Sequence, residues 1–146
     1  MLRGNAPATI DEKGRLKIPS VFRADIEDSW GSDFYITSLS GESVLIYPLP
    51  VWQEIEERLA KLPSLNPTKK KFLDRTNYYG QLASADKSGR ILIPTVLRES
   101  AEMNGEVAVL GNLNYLDVWN HKRFLGKLKE QQFTEDDHRV LGDLGI

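Results

Sequence analysis

The feature that most constrains this chain is a thirteen-residue block that occurs twice. Asp11-Glu12-Lys13-Gly14-Arg15-Leu16-Lys17-Ile18-Pro19-Ser20-Val21-Phe22-Arg23 returns as Asp86-Lys87-Ser88-Gly89-Arg90-Ile91-Leu92-Ile93-Pro94-Thr95-Val96-Leu97-Arg98. Seven of the thirteen positions are identical, and Leu16/Ile91, Ser20/Thr95 and Phe22/Leu97 are close replacements. Upstream, Ala8-Thr9 answers to Ala83-Ser84; downstream, Ile46-Tyr47 and Trp52 answer to Val118-Trp119 and Phe124 after a drift in register. A tandem duplication of about 70 residues follows, and each unit must solve the same packing problem.

Each unit has the same local grammar. Ala8, Ile10, Leu16 and Ile18 alternate with polar residues, as half-buried strands do on either side of a turn. Gly14 and Gly89 supply the positive φ that a tight hairpin turn requires. Pro19 and Pro94 end the strand and suit the first turn of a helix. That helix is expected to bury Val21, Phe22 and Ile26 in the first unit, and Val96, Leu97 and Ala101 in the second. A second hairpin follows, Phe34–Thr37 with Val44–Tyr47 around Leu39-Ser40-Gly41-Glu42. Its counterpart is Val107–Leu110 with Tyr115–Trp119 around Gly111-Asn112-Leu113-Asn114. Trp52, Ile55, Leu59 and Leu62 then form one apolar helical stripe, matched by Phe124 and Leu128. Trp30, beside Gly31, reads as a turn anchor. Pro67 opens a further helix through Lys69-Lys70-Lys71-Phe72.

This pattern divides the 146 residues into a first repeat over 1–62, a linker helix region over 63–77, a second repeat over 78–130 and an acidic, flexible tail over 131–146. Each unit alone is too short for a substantial core. Interleaved hairpins from the two units would supply one, and leftover edges favour homo-oligomers. The fold class is α+β.

Charge and composition bound the function. The chain has no cysteine, which removes disulfide and thiolate chemistry and favours a reducing, cytoplasmic compartment. No signal peptide stands at Met1-Leu2-Arg3-Gly4, and no apolar run reaches the roughly 20 residues of a membrane span. The net charge of −2 argues mildly against a nucleic-acid module. Local contrast softens that argument: Lys13, Arg15, Lys17 and Arg23 cluster in one copy of the block, while acid collects at Glu54, Glu56, Glu57 and in the tail. His121 and His138 lie apart from each other and outside the duplicated block. No spacing matches a zinc site, P-loop or nucleophile elbow, so neither an enzyme, a metal, a cofactor nor a small-molecule substrate is expected.

The block itself carries the chemistry. An arginine at the exit of a turn presents a planar fork of donors suited to guanine O6 and N7 or to a phosphate. Lys13, Lys17 and Lys87 would add phosphate contacts, and Asp11, Gly14, Asp86 and Gly89 would organise the turns. From the residues alone two readings stand: Asp11 with Arg15 and Asp86 with Arg90 tie their own turns, or the arginines serve DNA. Arg23 and Arg98 read as structural helix-surface charges, and Lys69–Lys71 as a solvated helix face.

A strand, the pattern Asp-x-x-Gly-Arg-x-x-Ile-Pro-x-x-Φ-Arg and a short helix resemble the swapped-hairpin, double-split β-barrel fold of AbrB-type regulators. Two copies, with Leu2-Arg3-Gly4 at the start and Tyr47-Pro48-Leu49 before the Trp52 helix, resemble the MraZ family over residues 1–130. The resemblance implies a sequence-specific DNA-binding regulator assembled into rings, nucleoid-associated, and acting on repeated boxes upstream of its own division and cell-wall operon, as a repressor. It also implies that Arg15 and Arg90 bind the DNA. The alternative is an antitoxin-like adaptor of the same fold that binds a protein and no specific DNA.

Overall fold

The computed structural model describes residues 1–146. Strands β1 (Asn5–Thr9) and β2 (Arg15–Lys17) precede helix α1 (Ser20–Trp30), and β3 (Asp33–Thr37) and β4 (Val44–Pro48) precede α2 (Leu49–Leu59). Helix α3 (Pro67–Tyr78) leads to β5 (Gln81–Ser84), β6 (Arg90–Leu92) and α4 (Thr95–Ser100). The chain ends with β7 (Glu106–Asn112), β8 (Tyr115–Asn120), α5 (His121–Glu130) and α6 (Glu135–Gly142).

The two repeats interleave. Six strands form one antiparallel sheet in the order β1-β7-β8-β4-β3-β5, and β2 pairs with β6 in a separate ribbon. Thus β1 of the first repeat lies on β7 of the second, and β5 of the second lies on β3 of the first. The pairing is symmetric under exchange of the repeats, about the Leu16–Ile91 pair of the ribbon and the Leu45–Asp117 pair of the sheet. An approximate two-fold axis therefore runs through the ribbon and the middle of the sheet.

This corrects the simplest hairpin expectation. The strands flanking Gly14 and Gly89 do not pair with each other beyond an isolated Ile10–Leu16 bridge. They part, one to the sheet and one to the ribbon, because each then finds its apolar neighbours in the other repeat. One cluster of 18 buried residues joins ribbon, sheet, α1 and α4, including Leu16, Phe22, Ile36, Val44, Ile91 and Leu97. Full burial of such a side chain contributes about 1.5–3 kcal/mol, so separating the repeats would expose the shared core.

The opposite face of the sheet carries aromatic rings and the helices α2, α3 and α5. Tyr35 stacks on Trp52 at 4.7 Å, Trp52 on Phe72 at 6.1 Å and Tyr47 on Tyr115 at 4.7 Å. Trp119 meets Phe124 of α5 at 5.6 Å. Burial pushes the Tyr47 hydroxyl up to about 12, helped by Tyr115 and Asp117.

Four local expectations change. Val21 and Val96 are exposed at 63% and 43%, because each helix starts directly after its proline and its buried stripe runs through Phe22 and Ile26, or Leu97 and Ala101. Leu62 lies beyond the end of α2 and is exposed. The β7–β8 turn needs only Leu113-Asn114, since Asn112 already pairs with Tyr115. The tail read as flexible contains α6, started by a reciprocal cap: Thr134 Oγ1 accepts from the Asp137 amide, and Asp137 accepts from the Thr134 amide.

Candidate nucleic-acid interface

The ribbon brings the two copies of the Gly-Arg motif together. Its register opposes Arg15 to Leu92, Leu16 to Ile91 and Lys17 to Arg90. Directly opposed residues share a face, and alternation turns Leu16 and Ile91 into the core with almost no exposure. Arg15, Lys17, Arg90 and Leu92 are left on the outer face. Leu92 is 48% exposed there, an apolar side chain among three cations.

Each turn is tied by its aspartate. Asp11 Oδ1 accepts from the amides of Lys13 and Arg15, both at 2.9 Å, and Oδ2 accepts from Arg15 Nε at 2.9 Å. The Arg15 amide is the main reason the Asp11 carboxyl sits below its usual pKa, with the Arg15 side chain and the Lys13 amide adding to it. Asp86 repeats the backbone pattern with the amides of Ser88 and Arg90 at 2.9 Å. Its pKa is lowered chiefly by the Arg90 amide, with smaller help from the Ser88 amide and the charges of Arg90 and of Arg15 from the other repeat. Arg90 is held less closely: its Nε lies 3.3 Å from Asp86 Oδ2 and makes no hydrogen bond, and its Nη2 reaches Ser88 Oγ at 3.4 Å.

The repeats also staple each other's turns. The Ile18 amide donates to Gly89 O at 2.8 Å, and the Ile93 amide donates to Gly14 O at 3.1 Å. Arg23 pairs with Glu27 and donates through Nη2 to Lys87 O at 2.9 Å, lying over Gly89. Arg98 donates to Ile93 O and Thr95 Oγ1, both at 2.9 Å, with its guanidinium over Gly14. Gly14 and Gly89 have φ of 81° and 79°, and a Cβ on either would run into that arginine. The structural reading of Arg23 and Arg98 is thereby given its content: each bears on the turn of the other repeat. The identical final arginine of the two blocks was the only sequence signal for this. Leu92 went unremarked in the sequence because its copy in the first block is a lysine.

Lys13, Lys17 and Lys87 are exposed and belong to none of the six ion pairs. Lys13 and Lys87 lie in the turns, and Lys17 lies in the ribbon opposite Arg90. Elsewhere, Lys70 pairs with Asp74, Lys69 donates to Leu62 O, and Lys71 lines a shallow cleft with Leu39, Phe72 and Arg75. No three histidine, aspartate or glutamate side chains gather where they could hold a metal ion, and no helix is long and apolar enough to cross a membrane.

Comparison with known proteins adds an independent line. Residues 1–75 and 81–144 each match the model of a family described as MraZ protein, antitoxin-like. A transcriptional regulator MraZ of Acidobacterium capsulatum is 47% identical over 146 residues, covering the whole of both chains. One from Koribacter versatilis is 48% identical over 147 residues, again across both chains. One from Pseudoalteromonas atlantica is 32% identical and covers 94% of this chain and 91% of its own.

Proposed function

This chain belongs to the MraZ family, and on that premise we propose that it is a transcription regulator that reads double-stranded DNA with the outer face of its β2–β6 ribbon. Arg15 and Arg90 contact base edges, and Lys13, Lys17 and Lys87 hold phosphates. The register of the ribbon carries this reading, because it leaves Lys17 and Arg90 directly opposed on an exposed face. Like charges so placed destabilise a strand pair, and an anionic partner converts the cost into binding energy. A two-stranded ribbon fits a major groove about 12 Å wide. Asp11 fixes the backbone and the Nε side of Arg15 and leaves its Nη edge available, and Asp86 fixes the backbone of Arg90, which pre-pays part of the ordering cost of binding.

One bidentate arginine–guanine contact discriminates by about 1–3 kcal/mol, which is too little for a regulator acting alone. Several copies of the chain engaging repeated boxes multiply it through effective concentration. The protein acts in this reading as a homo-oligomeric ring on boxes upstream of its own operon, as a repressor in the cytoplasm. Fluorescence anisotropy on the duplex upstream of its gene, against a shuffled duplex, tests the reading across a salt series. Preferential binding with a steep salt slope is expected. Equal and negligible affinity for both duplexes would overturn it and favour an antitoxin-like adaptor.

A further inference from the structure

The outer face of the ribbon holds four side chains, and one of them is of the wrong kind for a surface that only grips phosphates. Arg15, Lys17 and Arg90 are cations, whereas Leu92 is apolar and 48% exposed. A lone exposed leucine is ordinary on a protein surface. The place of this one is not. It stands where the first repeat has Lys17, and it is directly opposed to Arg15.

The backbone sets how close those two side chains come. The Ile93 amide donates to Gly14 O and the Ile18 amide to Gly89 O, which makes Gly14–Ile93 and Ile18–Gly89 hydrogen-bonded pairs. Alternation along the ladder then makes Arg15–Leu92 and Lys17–Arg90 the non-hydrogen-bonded pairs, the kind whose side chains lie closer. Cβ atoms so opposed stand about 4.5–5.5 Å apart, against a step of about 3.4 Å between successive bases of a strand. A base edge met by Arg15 therefore has Leu92 beside it, within one or two base pairs. Asp11 holds Arg15 at its amide and its Nε, so the spacing of the two residues is set by the turn before any DNA arrives.

Leucine has neither donor nor acceptor, so it can bond neither a phosphate nor the polar edge of a base. The one apolar group that base pairs display in the major groove is the C5-methyl of thymine. We propose that Leu92 is a specificity-determining residue that packs on the methyl group of a thymine beside the base pair contacted by Arg15. This deepens the function proposed above and rests on that reading. Arg15 and Leu92 then read a purine edge and a methyl as one unit. The other end of the ribbon, Lys17 with Arg90, offers two cations and no apolar side chain, so it reads no methyl.

Replacing single thymines of the upstream duplex by deoxyuridine tests this, because uracil keeps thymine's pairing and its polar edge and lacks only the methyl. Anisotropy at one salt concentration compares wild type, Leu92→Ala and Leu92→Met on each duplex. Wild type is expected to lose affinity about fourfold when the contacted thymine becomes uracil, the worth of burying one methyl group. Leu92→Ala should bind the unmodified duplex more weakly and show no further loss with uracil at that position. Leu92→Met, which restores apolar reach, should recover most of both effects. A merely structural role for Leu92, or a change of duplex shape on losing the methyl, would leave the uracil effect in place in Leu92→Ala. That equal loss, or wild-type affinity unchanged at every uracil, overturns the proposal, while preference for the upstream duplex over a shuffled one keeps the DNA reading standing. Absence of that preference in wild type sinks the DNA reading and this contact with it.

Discussion

The two turns descend from one motif and hold their arginines differently. In the first, Asp11 binds Arg15 through both the amide and Nε at 2.9 Å, and the Arg98 guanidinium presses on Gly14. In the second, Asp86 keeps the amide of Arg90 but stands 3.3 Å from its Nε without a hydrogen bond, and Arg23 reaches past Gly89 to the Lys87 carbonyl. The ribbon positions beyond the turns differ further, with Lys17 in one copy and Leu92 in the other. Duplication has preserved the turn, its aspartate, glycine and outward arginine with the crossing arginine, while the outward position two residues on has diverged to Lys17 in one copy and Leu92 in the other. Arg15 is pre-set; Arg90 is free to adjust. A subunit built this way presents a two-fold frame with unequal ends.

The difference can be broken first at the glycines. Gly14→Ala is expected to cost about 2–3 kcal/mol, from the left-handed backbone and the displaced Arg98 hydrogen bonds. Gly89→Ala should cost about 1–2 kcal/mol, since the Arg23 side chain leaves more room: Nε would stand 2.8 Å from the new Cβ, against 2.6 Å for Arg98 at Gly14. Urea midpoints of the two variants measure this, and equal losses would show that the crossing arginines are equivalent.

Next in size is the ribbon face. Leu92→Lys makes the two copies alike and adds one cation, so the slope of log affinity against log salt should steepen by about 0.9. Lys17→Leu should flatten it by the same amount, a difference of about eightfold in affinity for each tenfold change in salt. Unchanged slopes in both variants would mean that this face is not the one DNA meets.

A smaller effect is expected from the aspartates. Their ion pairs are one-third or more exposed, so solvent screens them and each contributes little to stability. Asp11→Asn should weaken DNA binding a few-fold by releasing a pre-set Arg15, and Asp86→Asn should change it less, which anisotropy on the same duplex reads directly. The smallest effect concerns pH. Both carboxyls have folded pKa values below the ordinary aspartate value of about 3.9, so their contribution is complete above that value and is lost only as pH falls through the lower folded values. Carboxyl chemical shifts followed by NMR should therefore show both turns intact at pH 5. Titration of either carboxyl above pH 4 would contradict the hydrogen bonding described.

The same comparison explains what could be read in advance. The repeated block announced two equivalent units, and alternation identified Leu16 and Ile18 as core positions, both now buried together with their copies Ile91 and Ile93. Alternation could not say which strand pairs with which, because a hairpin and an exchange between repeats bury the same side chains. The ribbon, and with it the opposition of Lys17 to Arg90, was therefore invisible. The valines at 21 and 96 were misplaced because adjacent helical residues lie about 100° apart, so with Phe22 and Leu97 on the buried stripe their neighbours turn outward. The helix at 135–142 was missed because its cap, Thr134 with Asp137, sits in a strongly acidic segment that composition reads as loose. In the site, Arg15 and Arg90 were evident as motif residues, whereas the reach of Arg23 and Arg98 to the opposite turn depends wholly on the interleaving.

The central claim is that the ribbon's two arginines read DNA on a scaffold that does not need them to fold. Anisotropy of the Arg15→Ala/Arg90→Ala variant on the upstream duplex, beside its urea midpoint and sedimentation, tests it most directly. The account expects affinity to fall by at least about tenfold, each lost contact being worth about 1–3 kcal/mol, with the assembly mass unchanged and the urea midpoint close to that of the wild type, since exposed pairs add little to stability. Wild-type affinity in a folded, assembled variant would contradict it, and would assign both arginines to their turns alone.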